Sequence, residues 1–194
     1  MSDTKKPGAS EGCTLAVSTR RVSPVQLDVT YLFHNGSPQN AYLFNRLYQE
    51  VSRERVFLTN RDLVYVETLG ADVILSKKIF PVPETLDVER PNVPAATKVE
   101  AGADLEETFT ILLPLRPFDP YRRRPQEVLS APPVERRAFV EIGFFLPKPE
   151  GEALANQVET TEGTAHHFYP FPIRAQLLLR AGPLPDALPI LLPK

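Results

Sequence analysis

A chain of 194 residues with a formal net charge of −2 and 42% hydrophobic residues suits one domain whose core needs neither disulfide nor metal. The near-neutral charge supplies no bulk field for nucleic acid or an anionic membrane, and the single cysteine, Cys13, excludes an internal disulfide. With 21 Pro, 9 Gly and no Trp, long helices are disfavoured and strands joined by stiff loops are expected.

Residues 1–12 are polar, with Pro and Gly where an export signal would need an apolar run, and read as a tail. Together with the lone thiol this gives a cytoplasmic expectation. A first strand is predicted over Cys13 to Arg21, closed by Ser23-Pro24. From Val25 the residues alternate, with Val25, Leu27, Val29, Tyr31 and Phe33 on one face and Gln26, Asp28, Thr30 and His34 on the other. That period of two marks a half-buried antiparallel strand. Asn35-Gly36-Ser37-Pro38-Gln39-Asn40 is then a cluster of turn formers. It also spells an N-glycosylation acceptor, but Pro38 and the expected compartment favour the turn.

Residues 42–55 fit a helix through Leu43, Leu47 and Val51, or a strand through Tyr42, Phe44, Arg46 and Tyr48; the aromatic content favours strand. Strands are predicted over Leu63 to Leu69, Asp72 to Phe80, Leu105 to Leu115, Arg137 to Leu146 and Ile173 to Arg180. Three long connections separate them, 81–102, 116–135 and 147–166, the last acidic and expected to be mobile. The fold class is therefore all-β, an antiparallel two-sheet sandwich of about eight strands over residues 13–181, immunoglobulin-like in the broad sense. The C-terminal stretch 182–194, rich in Leu and Pro, is too apolar to hang free and should fold back or dock a partner.

No catalytic set is legible: there is no Gly-x-Ser-x-Gly elbow and no Gly-rich phosphate loop. Glu106 and Glu107, adjacent on a strand, face opposite sides and cannot cooperate. His34, His166 and His167 are the candidates for a metal-dependent enzyme or hydrolase. If residues 52–62 are one connection, strand parity puts His34 at the opposite end of the sandwich from the other two. No metal or cofactor is expected. The richest stretch is Arg116 to Arg124, where Phe118 and Tyr121 stand beside Arg122, Arg123 and Arg124. Such a mixture suits a protein interface, and single-stranded nucleic acid is the less favoured alternative. The expected function is non-enzymatic contact with another protein or with a second copy, through Phe118, Tyr121, Arg122, Arg123 and Arg124 and through Leu188, Ile190 and Leu191.

In two stretches, VQLDVTYLFHNGS and AGADLEETFTILLPL, the chain resembles small bacterial intracellular immunoglobulin-like modules, including intracellular proteinase inhibitors. The resemblance implies a sandwich fold and carries over no functional residue.

Overall fold

A computed structural model describes residues 8–88, 91–121, 132–152, 154–169, 171 and 173–192. The all-β reading holds, but the strands number fifteen among the described residues rather than about eight. In chain order they are β1 Gly8–Ser10, β2 Cys13–Ser23, β3 Gln26–Asn35, β4 Ala41–Arg46, β5 Tyr48–Val51, β6 Phe57–Thr59, β7 Tyr65–Leu69, β8 Asp72–Lys77, β9 Ala95–Val99, β10 Asp104–Leu112, β11 Val134–Phe145, β12 Asn156–Thr160, β13 Gly163–His167, β14 Leu177–Ala181 and β15 Leu188–Ile190. One helical turn, α1, spans Pro149–Glu152, and no described helix is long and apolar enough to cross a membrane.

The small sheet runs β1-β2-β3-β10, and its long antiparallel ladder from Asp104↔His34 to Leu112↔Gln26 follows from the period of two in both strands, which Leu32 in β3 and Glu107 and Leu112 in β10 break. The large sheet centres on β11. Its pairings are not all antiparallel: β8 lies parallel to β11 and β6 parallel to β12. Val140 to Ile142 pair with β14 on one flank and β8 on the other, while Phe144 pairs with β14 and with Leu43 of β4. A strand has two flanks, so β8 and β4 share one flank of β11 and abut there. The segment 42–55 is strand, as its aromatic residues require.

Three expectations need correction. The loop 81–102 contains β9, and the loop 147–166 contains the β12–β13 hairpin, turned at Gly163 with φ 101°. β9 is short and follows directly on a proline-rich stretch although Ala95, Ala96 and Val99 are buried, and the β12–β13 hairpin lies in acidic sequence and is largely exposed. The connection 52–62 holds β6, so the parity used to separate the histidines does not stand. The C-terminal stretch folds back: Leu184, Leu188 and Ile190 enter the main core, and β15 pairs with β11.

That core lies between the sheets and includes Leu15, Val29, Phe33, Leu43, Leu75, Phe109, Ile142 and Phe144. A second apolar cluster, with Tyr42, Phe44, Ile79 and Phe168, covers the outer face of β4. Hence all of Ala41 to Asn45 is buried. The two edges of the small sheet meet different neighbours. At one, Gly8 sits so close to the Arg180 carbonyl of β14 that no side chain would fit, which closes that side. The other edge is β10, which lies across a groove from β7, one of the two end strands of the large sheet.

The turn after β3 is locked by its own side chains. Asn35 is fully buried; its Nδ2 donates to the carbonyls of Gln39, Val99 and Glu100 at 2.8, 3.0 and 3.0 Å, and its Oδ1 accepts the Ser37 hydroxyl at 2.7 Å. The acceptor triplet is thus an architectural turn with its amide enclosed.

Candidate functional site

Between the two sheet edges runs a groove of about 710 Å³. Val64 and Val66 form its wall on the β7 side, Thr110, Ile111 and Leu112 on the β10 side, and Pro114, Leu115, Arg116 and Phe118 cross between them. Beyond Leu112 the chain bends at Leu113 and Pro114, across a cis Leu113–Pro114 bond, and Leu113 and Leu115 turn into the core while Pro114 and Arg116 stay exposed. Leu115 then exchanges hydrogen bonds with the C-terminal strand, its N–H to the Pro189 carbonyl at 2.7 Å and its carbonyl to the Leu191 N–H at 2.9 Å. Phe118 pairs with Val66 through two backbone hydrogen bonds of 2.8 and 3.0 Å. Leu112, 70% exposed, stands at the rim.

Of the residues expected to make contacts, Arg116 is exposed and Phe118 half-buried at the groove. Behind Phe118 lies a second, smaller recess of about 240 Å³, lined by Tyr48, Gln49, Tyr65, Asn92 and Asp119. Tyr121 supports it, accepting the Asn92 N–H at 2.9 Å, with its ring against Phe80. Burial pushes the Tyr121 hydroxyl up from its ordinary value. Arg122, Arg123 and Arg124 lie outside the described residues. Leu188 and Ile190 are fully enclosed in the core, and Leu191 is half-buried beside them.

The histidines stand in three separate settings. His34 pairs through Nδ1 with Asp104 at 2.7 Å on the surface. The ring of His166 lies edge-on to Tyr42, and His167 Nε2–H donates to the Val93 carbonyl at 3.2 Å beside Phe57. Burial holds the pKa of both His166 and His167 below the ordinary value, with Lys98 adding to the effect at His166. Among the described residues no group of three or more His, Cys, Asp or Glu is placed to hold a metal ion.

What residue-by-residue reading missed is a charged cluster inside the core. Glu107 faces inward with Phe109 and Ile111 while Glu106 faces out, as alternation requires. Its Oε1 accepts Lys77 Nζ at 2.8 Å, and its Oε2 accepts Asn45 Nδ2 at 3.1 Å and lies 3.2 Å from Arg46. Lys77 is fully buried, donates also to the Arg61 carbonyl at 2.7 Å and sits 5.1 Å from the centre of the Phe109 ring. Burial pushes its pKa down, against the pull of Glu107. Asn45 Nδ2 reaches the Tyr31 hydroxyl at 3.3 Å, and Asn45 Oδ1 accepts the Thr97 N–H at 3.2 Å. A sequence signal existed: Lys77 shares the inward period of Val73 and Leu75, and Glu107 that of Phe109.

No family model matches the chain, and no curated protein or solved structure shows significant similarity to it.

Proposed function

We propose that this protein is a non-enzymatic binding module, a cytoplasmic sandwich of broadly immunoglobulin-like type, that holds an extended segment of a protein partner in the groove between β7 and β10. The observation that carries this reading is the groove itself: two sheet edges side by side, an apolar floor, an exposed Leu112 and a half-buried aromatic, Phe118, as anchor. Sheet edges accept extended chains through main-chain hydrogen bonds, while pockets between them select side chains. Arg116 at the mouth adds a charged rim of the kind found around interface anchors. A second copy of the chain is the alternative partner, and it would use the same edges.

The test is a photo-crosslinking residue at position 112, with one at position 32 as control, since Leu32 is exposed on the outer face of β3. In native lysate the probe at 112 is expected to give a discrete adduct that excess unlabelled protein competes away and Phe118→Ala weakens. Adducts identical to those of the control would overturn the reading. An adduct at the mass of two chains would make the partner a second copy.

A further inference from the structure

We propose that the folded chain joins Lys77 to Asn45 through a side-chain amide bond, with Glu107 carrying the protons. The reactants are brought together by the sheet. β8 ends at Lys77 where β4 veers off the same flank of β11, and the two strands touch there. Asn45, on the inward face of β4, and Lys77 then share one carboxylate: the amine sits on Glu107 Oε1 at 2.8 Å and the amide nitrogen on Oε2 at 3.1 Å.

The groups that the chemistry uses are a buried amine, a side-chain amide and one carboxylate bonded to both. An amine attacks only when neutral, and a fully buried lysine against the Phe109 ring is the setting in which a neighbouring carboxylate can take its proton. Glu107 accepts that proton. The Lys77 Nζ lone pair adds to Cγ of Asn45, and the carbonyl electrons move onto Oδ1, where the Thr97 N–H already points at 3.2 Å. Glu107, in contact with the amide nitrogen, returns the proton to Nδ2, the Cγ–Nδ2 bond breaks and ammonia leaves, and Glu107 takes the second proton from Nζ, so that the new amide is neutral and the carboxyl ends protonated. The Nζ–Cγ bond replaces the Cγ–Nδ2 bond, so one lysine amine and one asparagine amide become one secondary amide and one ammonia, with no oxidant or cofactor. Water, the competing nucleophile, is excluded by the core around Tyr31 and Phe109, both fully buried.

The experiment is the intact mass of the soluble, folded, full-length protein. The expected result is a mass lower than the encoded one by a single ammonia, and a tryptic fragment in which the peptide carrying Asn45 is linked to the peptide carrying Lys77. Glu107→Gln and Lys77→Met, measured in the same way, should both run at their encoded masses. The encoded mass for the unaltered folded chain overturns the proposal. So does the loss of one water with a link between Lys77 and Glu107, which would make the carboxylate the reactant. Neither readout depends on the groove or on any partner.

Discussion

The carboxylate of Asp62 accepts the backbone N–H of Thr110 at 2.8 Å, so a side chain from the loop before β7 caps an amide on the free edge of β10. By the alternation of an antiparallel ladder, the amides of Thr108 and Leu112 point the same way. The cap therefore sits in the middle of an edge that another strand could otherwise pair with, and it also ties the two walls of the groove together.

Replacing Asp62 by Ala is expected to lower stability by about 1 kcal/mol, the value of one such hydrogen bond. It should also make the apparent mass rise with concentration in light scattering, because the edge loses its guard. Asp62→Lys should show the same loss of stability with less association, since a charge remains at the edge.

The Lys77–Glu107 pair should respond asymmetrically to mutation. Lys77→Met leaves Glu107 buried with only part of its partners and should cost about 3–5 kcal/mol in urea unfolding. The double variant Lys77→Met with Glu107→Leu should recover only part of that, because it removes the unpaired carboxylate but leaves Asn45 Nδ2 and Arg46 without that acceptor.

Leu188→Ala should destabilise by about 2–5 kcal/mol, as expected for a fully buried leucine. Leu191→Ala, at a half-buried position, should cost clearly less in the same thermal or urea experiment. Removal of residues 182–194 therefore strips the core of Leu184, Leu188 and Ile190, and any change in binding it causes reports on folding.

His167 predicts a pH dependence with a definite sign. Its folded pKa is depressed by burial, so the unfolded chain binds the proton more readily and stability rises with pH. The contribution is complete above the ordinary histidine value of 6.5 and is lost as pH falls from there through the depressed folded value. Urea midpoints measured from pH 8 downwards should fall in this window, and His167→Gln, which keeps a donor for Val93, should flatten that fall.

The long strands were legible because each offers enough residues to show a period: β3 and β10 alternate over ten and nine residues. β6 and β15, with three residues each, offer none, and β9 follows directly on a proline-rich stretch. The parallel pairing of β8 with β11 joins segments some sixty residues apart, and local pattern carries no information about such register. At the candidate site Phe118 stood out because an aromatic beside arginines is chemically conspicuous. Lys77 and Glu107 did not, since their partners lie 30 residues apart on different sheets and a charged residue in isolation reads as solvated. Leu188 and Ile190 were conspicuous for being apolar, and apolarity alone does not distinguish a core position from a contact surface.

β11 is held on both flanks by strands drawn from both halves of the chain, with β8 on one side and β14 on the other across Val140 to Ile142. Amide protons there should be the last to exchange with solvent, leaving only when the whole molecule opens. Those of β7, paired along one flank only by β8, and of the crossing at Phe118, which bridges to Val66, should exchange through local opening. The groove can thus breathe while the rest of the molecule stays shut, and its walls can adjust to what enters without loosening the scaffold behind them.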